Sequence, residues 1–377
     1  MKILFVVNVD WFFISHRLCI AEAAIAKGYS VHVGTRITSY ANAQLLRDRG
    51  LYVHNIPFDR SASPFGLTKA IFTLFCVYLS VKPQLVHLVT SQAVIIGGFL
   101  AKFLNINSVV FSISGLGHVF LGSSFLSKVR RIVVLNLYKM AFSSPNKLII
   151  FQNSNDLSIL SEACQLNDAE LLLLNGSGVD LDKFRPSPLP KSGPPVVLMA
   201  SRLIKSKGVY DFVEASRILR SRGLCAEFWL AGRPDSDNPL SIDLSLVLGW
   251  QNQGLIKYLG DRPDLHKIIP KCYLFVLPSF YPEGLPKVLC EAAACGRPII
   301  TTSLPGCSEC VDHCKSGFLV PPREPILLAD CISTIINNKD LAASMGTQSR
   351  IKASSSFSQS LIVEKHLESY SKLHQST

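Results

Sequence analysis

Two glutamates eight residues apart, in Glu283-Gly-Leu-Pro-Lys-Val-Leu-Cys-Glu291, are the pair in this chain best placed to do chemistry together. Residues 273–277 read as an apolar strand, so Glu283 falls in the loop after it and Glu291 inside the helix which that loop opens. Pro286 suits the first helical position, where a missing N–H has no intrahelical partner to lose. Gly284 lets a ligand approach the backbone. The start of such a helix attracts a phosphate or diphosphate through its N–H groups and dipole. A carboxylate cannot bind that anion, but it accepts hydrogen bonds from hydroxyls on either side of it. A ligand with hydroxyls flanking a diphosphate is a nucleotide sugar.

Cations lie where that anion would need them. Ser201-Arg202-Leu-Ile-Lys-Ser-Lys207-Gly208 follows a strand over 196–201. Arg202 offers a fork of donors and Lys207 a point charge. Alone, this is equally a solvated basic loop; beside the two glutamates, it reads as a diphosphate clamp. Three further segments are weaker. Gly178, in Asn175-Gly-Ser-Gly-Val-Asp180, allows close backbone approach, and Arg262, after a short strand, could present groups to a base. Cys307-Ser-Glu-Cys310-Val-Asp-His313-Cys314 has metal-like spacing, but every candidate ligand lies within eight residues and no distant pair matches it. It reads as a loop into a strand over 318–320, and no metal site is expected.

Near the start, residues 8–17 read as a loop after the first strand, with aromatic Trp11, Phe12 and Phe13 followed by His16 and Arg17. Read functionally, His16 and Arg17 reach toward a phosphate or an acceptor hydroxyl; read structurally, the aromatics are core and His16 is a surface residue. A second loop, Ser114-Gly115-Leu-Gly-His118, allows a tight turn near a ligand. His118 is there either a proton shuttle or a satisfied loop histidine.

The elements that must hold these residues alternate. Apolar strands over 2–8, 30–35, 53–57, 85–89, 109–114 and 148–153 are separated by helical periodicities, and the pattern restarts after residue 195. Such runs indicate parallel sheets covered on both faces. The expected organisation is an α/β chain of two doubly wound Rossmann-like domains whose sheets face a central cleft. The domains are 1–183 and 196–355. A linker over 184–195 carries five prolines, and 356–377 forms a terminal helix.

Composition narrows the partners. With 48% hydrophobic and 17% charged residues the chain is globular, not disordered. Residues 1–150 hold 15 Lys and Arg against four Asp and Glu, and the remainder holds 23 of each, so the whole net charge of +11 sits in the first part. That asymmetry suits an anionic partner, a lipid surface or a phosphorylated substrate, or else serves solubility alone. No nucleic-acid motif is visible. Apolar runs are too short to span a bilayer. The first residues lack a signal-cleavage site and read as a core strand. Eleven cysteines without framework spacing suit reduced thiols in a cytoplasm.

Together these motifs resemble a GT-B fold retaining glycosyltransferase of family 4, over nearly the whole chain. The resemblance implies that 1–183 binds the acceptor, that 196–355 binds the donor, and that the helix over 356–377 crosses back to the first domain. The resemblance implies that Glu283 contacts the donor sugar and Glu291 the ribose hydroxyls, that Gly284, Leu285, Pro286, Gly178 and Arg262 line the donor site, and that Arg202 and Lys207 neutralise the diphosphate. His118 is the further catalytic candidate, and His16, Arg17, Ser114 and Gly115 are the acceptor candidates. Many members carry a Gly-Gly pair in the first loop where this chain has Trp11-Phe12-Phe13. The first loop, with Ser-Gly-Leu-Gly, is similar to bacterial enzymes building O-antigen or capsule units on undecaprenyl diphosphate. The implied reaction moves a hexosyl group, an N-acetylhexosamine, from a UDP sugar to a lipid-linked saccharide, without a metal or other cofactor. It implies a cytoplasmic protein, peripheral on the inner face of the bacterial plasma membrane and touching its anionic surface. A nucleotide-sugar epimerase of the same fold and an inactive UDP-sugar-binding scaffold are the competing readings.

Overall fold

The computed structural model describes residues 1–58, 64–117, 124–235 and 238–375. They form two compact units, Met1–Ser177 with Ser360–Thr377, and Gly178–Gln359.

In the first unit the strands are Lys2–Val9 (β1), Ser30–Arg36 (β2), Tyr52–Asn55 (β3), Leu85–Val89 (β4), Ser108–Ile113 (β5), Lys147–Phe151 (β6) and Leu171–Leu173 (β7). They pair in parallel in the order β3-β2-β1-β4-β5-β6-β7. Its helices are Asp10–His16 (α1), Leu18–Ala26 (α2), Tyr40–Asp48 (α3), Pro64–Val81 (α4), Ser91–Phe103 (α5), Phe125–Ala141 (α6) and Ser154–Cys164 (α7). One core packs α4 to α7 against one face of the sheet, and another packs α1 and α2 with residues 362–373 against the other. Burial on both faces explains why β4 and β5 are buried at every position.

The second unit repeats the arrangement. Val196–Ala200 (β8), Glu227–Ala231 (β9), Lys257–Gly260 (β10), Leu274–Leu277 (β11), Ile299–Thr302 (β12) and Gly317–Val320 (β13) pair in parallel in the order β10-β9-β8-β11-β12-β13. Val209–Ser221 (α8), Leu244–Asn252 (α9), Leu265–Ile268 (α10), Lys287–Ala294 (α11), Pro325–Asn337 (α12) and Lys339–Ser356 (α13) complete it. Gln359–Gln375 (α14) ends the chain, and from Ser360 onward it belongs to the first unit.

Two segments differ from the sequence expectation. The proline-rich stretch 184–195 lies inside the second unit. Proline removes backbone donors, so the carbonyls here need other partners; the buried Arg297 guanidinium donates to the carbonyl oxygens of Ser187, Pro188 and Cys272. Residues 10–16 are not a loop but α1. The buried Asp10 carboxylate accepts the Trp11 N–H and both the N–H and hydroxyl of Thr38, each at 2.7 Å.

Residues of α14 close one face of the first sheet through a buried polar cluster. His87 on β4 bonds the Tyr370 hydroxyl at 2.6 Å and the Ser112 hydroxyl at 2.7 Å. Burial holds His87 well below the ordinary histidine range and His366, stacked beside it, at about 3, so both rings are neutral near pH 7. Tyr370→Phe would leave a ring nitrogen of His87 buried without its partner. Urea unfolding at pH 7 should show a loss of about 1–3 kcal/mol; an unchanged midpoint would mean that the hydroxyl contributes nothing to holding α14.

Candidate active site

β8, β11 and β12 are consecutive in the second sheet, so the loops leaving their carboxyl ends emerge side by side, where open parallel sheets take ligands. After β8 the chain runs through Arg202 to a short 3-10 turn, Lys205–Lys207, and turns at Gly208 with φ +78°. A Cβ at Gly208 would stand 2.0 Å from the Pro278 carbonyl oxygen, so only glycine lets this loop lie against the end of β11. Two bonds lock the contact: the Phe280 N–H and the Ser279 hydroxyl both donate to the Ser206 carbonyl, at 3.0 and 3.1 Å. The loop after β12 joins from the other side. The Glu283 N–H donates to Pro305 O at 3.1 Å, and a Cβ at Gly306 would stand 2.3 Å from Glu283 O.

This scaffold brings Lys207 and Glu283 together. The ammonium donates to Glu283 Oε2 in an ion pair whose side chains are 16% and 14% exposed. Arg202, nearly half exposed, pairs with Asp235 at 2.6 Å. Pro286 is the residue just before α11, and Lys287 opens the helix, which has no acidic residue in its first turn. Glu291 sits one turn further in. Burial pushes its carboxyl up to about 7 from an ordinary 4.5, and Lys287 and Lys183 nearby oppose the rise without cancelling it.

The other candidates separate. Gly284 lies in the Glu283 loop against Gly306, whereas the Leu285 side chain is buried in the core, leaving only its backbone to meet a ligand. Gly178 is required by packing: its φ is +79° and a Cβ would stand 2.6 Å from Gln359 Cα, beside the bridge between Val179 and Ser358. Arg262 is held by its own loop, since one guanidinium edge donates through Nε and Nη2 to the two Asp264 oxygens, each at 2.8 Å, and holds that carboxyl at about 2.

In the first unit, Arg17 does not reach outward. It is 2% exposed and donates to the His16 carbonyl at 3.0 Å, because α1 ends there and turns the guanidinium into the core. His16, partly buried, stacks on Phe12 at 4.1 Å and contacts the Phe12 carbonyl through Nδ1 at 3.2 Å. Ser114 and Gly115 lie just beyond the end of β5, Gly115 with φ +111°. The Ser114 hydroxyl is buried and finds no hydrogen-bond partner among the described residues. His118 lies outside the described residues. Among the described residues no group of three or more His, Cys, Asp or Glu is arranged to hold a metal ion. Cys307 and Cys310 are core residues, and burial pushes the Cys307 thiol up to about 12.

Three residues that matter to the site were not read from the sequence. Asp235 pairs with Arg202 across 33 positions, a separation that no local pattern shows. Glu309 accepts from the Gly306 N–H at 2.7 Å and the Ser308 hydroxyl at 3.1 Å, bracing the loop behind Glu283. Asp10 fixes the start of α1; an acid at a helix start after an apolar strand was the available signal.

The two parallel-sheet units define a GT-B fold, and comparison with known proteins agrees. Residues 194–338 match the family of glycosyl transferases group 1, and residues 2–153 match the glycosyl transferase 4-like family. The chain is a glycosyltransferase, its second unit similar to the former family and its first to the latter. It is 27% identical over 343 residues, 88% of each chain, to the N,N'-diacetylbacillosaminyl-diphospho-undecaprenol alpha-1,3-N-acetylgalactosaminyltransferase of Campylobacter jejuni. It is 26% identical over 268 residues, 67% of this chain and 66% of the other, to the UDP-Gal:alpha-D-GlcNAc-diphosphoundecaprenol alpha-1,3-galactosyltransferase of Escherichia coli. Among solved structures, Anabaena HepE in complex with UDP-glucose is similar, with a TM-score of 0.76 at 22% identity over 99% of this chain and 100% of that one.

Glu291 yields a test that needs no substrate. A carboxyl whose pKa is higher folded than unfolded binds its extra proton in the folded state between about 4.5 and 7, so stability falls as pH rises through that window. Glu291→Gln should therefore unfold at higher denaturant than the parent at pH 8, by at most about 3 kcal/mol. The gain should shrink toward nothing below pH 4.5, and equal stability at both pH values would remove the burial argument.

Proposed function

We propose that this glycosyltransferase moves a hexosyl group, an N-acetylhexosamine, from a UDP sugar to a saccharide carried on undecaprenyl diphosphate, with retention of anomeric configuration. The product would be a unit of a bacterial surface polysaccharide, O-antigen or capsule. The observation that carries the donor half is the Lys207–Glu283 pair at the joined ends of β8, β11 and β12, with Glu291 in the helix that follows. The names of the two sequence relatives support the lipid diphosphate acceptor, and the HepE complex supports UDP.

In this reading Lys207 and Arg202 meet the diphosphate, Arg202 exchanging Asp235 for a phosphate oxygen, and the start of α11 adds its dipole. Glu291 accepts from ribose hydroxyls and Glu283 from the hexose. Neither carboxylate is the nucleophile. The bond from the anomeric carbon to the phosphate oxygen breaks as the acceptor oxygen attacks from the same face, and the departing phosphate takes the acceptor proton. Cations brought to the oxygen where negative charge develops lower the barrier. They also supply the neutralisation for which other diphosphate sites use a divalent ion, so we propose metal-independent transfer. The enzyme would work in the cytoplasm, on the inner face of the plasma membrane and against its anionic surface. No helix among the described residues is long and apolar enough to cross a membrane.

The test is a panel of UDP hexoses against a synthetic polyprenyl-diphosphate monosaccharide, with product read by mass spectrometry. Lys207→Ala should lower kcat by about 10²–10³. Glu291→Ala should weaken UDP binding by about tenfold or more, the loss of hydrogen bonds to a charged group. Turnover unchanged in both variants would overturn the site; full activity only after adding a divalent ion would overturn the metal-independent step.

A further inference from the structure

One stretch of the first unit has a charge pattern that the donor site does not use. Residues 60–155 contain no Asp or Glu and nine Lys and Arg. Within it lies α6, whose inner side is short: Tyr138 and Ala141 are its buried residues. The opposite side is apolar and exposed. Phe125 and Leu126 are 79% and 78% exposed, and Val129, Ile132, Val133 and Met140 also face solvent. At about 100° per residue these six fall on one arc of the helix. Arg130 lies on one flank of that arc, and Lys128, Arg131 and Lys139 on the other, all exposed. α5 packs beside α6 in the same layer, and α4 beside α5 through the Phe75–Phe103 ring contact at 6.4 Å. Both add outward aromatics, Phe72 and Phe103, each 66% exposed.

A soluble face has no use for so many exposed large apolar side chains in one layer. An apolar arc bordered by cations on both flanks is the pattern of a helix lying in a membrane interface, its arc in the acyl boundary and its cations at lipid phosphates. A second copy of this chain is the less favoured occupant, because an acid-free face turned on itself sets cation against cation. We infer that the outward face of α6, extended by α4 and α5, docks this unit on an anionic bilayer surface. The inference rests on the reading that the acceptor is lipid-linked, and it names the surface that brings the enzyme to that acceptor.

The test uses the full chain and vesicles of phosphatidylcholine with or without phosphatidylglycerol. The parent should co-sediment with the anionic vesicles and release as salt rises. Ile132→Glu with Val133→Glu should lower that binding at least about tenfold, by setting two acids in the arc. Lys128→Gln with Arg131→Gln should lower it by about 25-fold, at about fivefold per charge. Both variants should keep the parent's UDP affinity and thermal midpoint, since neither pair lies in the donor site or core. Parent-like vesicle binding by both variants would overturn the inference. A dimer in sedimentation velocity that the Ile132→Glu pair dissociates, with no vesicle binding by the parent, would assign the face to a second copy instead. If the parent binds UDP but no vesicle, docking fails alone; if it binds neither, the functional reading fails with it.

Discussion

A lysine and a glutamate that are both mostly out of water can lie at the end of a parallel sheet only if they neutralise each other. Either one alone would leave a charge against apolar surroundings with little solvent to compensate it. The Lys207–Glu283 pair therefore sets how near the β8 loop must come to the β11 loop, and much of the local sequence serves that approach. Gly208 admits the Pro278 carbonyl where any side chain would collide with it, and Gly306 does the same for Glu283. The hydroxyls of Thr301 and Thr302 donate back to Leu277 and Ser279, tying β12 to the end of β11 at 2.7 and 2.6 Å. The charged pair is thus held by backbone contacts from three strands rather than by a flexible loop, as a binding group must be if its geometry is to persist when a ligand arrives.

How much of this could be read in advance depended on whether a residue's partner is local. Strands buried on both faces are plain apolar runs, so β4, β5 and β8 stand out by composition alone. β7, three leucines among other leucines, has no such contrast. Glu283, Lys207 and Arg202 could be singled out by residue type and spacing, and the structure brings Lys207 to Glu283 while Arg202 pairs with Asp235. Arg17 was misread because arginine is usually a surface residue; its burial follows from α1 starting at Asp10, and that start depends on Thr38, 28 positions away. The proline-rich segment looked like a linker because its partner, Arg297, lies about 110 residues further on. Arg262 was different: its partner Asp264 is two residues away, and an Arg-Pro-Asp sequence could have been read as a self-satisfied loop.

Each unit buries an arginine whose guanidinium donates to carbonyl oxygens, Arg17 in the first and Arg297 in the second. The first surrounds its buried arginine with groups held neutral: His87 and His366 well down in pKa, and Tyr370 well up. That arrangement tolerates one cation by placing no second charge beside it, and it suits a cluster whose task is to hold α14. The second unit pairs Lys207 with Glu283 at the strand ends and holds its own buried arginine, Arg297, on carbonyl oxygens.

Glu291 stands apart from both patterns, and comparison with Asp264 shows why. Both carboxyls belong to the second unit, but their pKa values move in opposite directions. Asp264 is held at about 2 by a guanidinium two residues away, so its charge is already satisfied and a ligand would have to break that pair. Glu291 is raised to about 7 by burial, with Lys287 and Lys183 near enough to oppose the rise but not to reverse it. Its charge is therefore under-solvated in the free protein. Hydroxyls brought in by a ligand would replace the missing water, and the relief would add to their binding. Ionic pairing that perturbs a pKa is common in purely structural places. Here the direction of the shift separates the two carboxylates by cause, ion pairing for Asp264 and burial for Glu291.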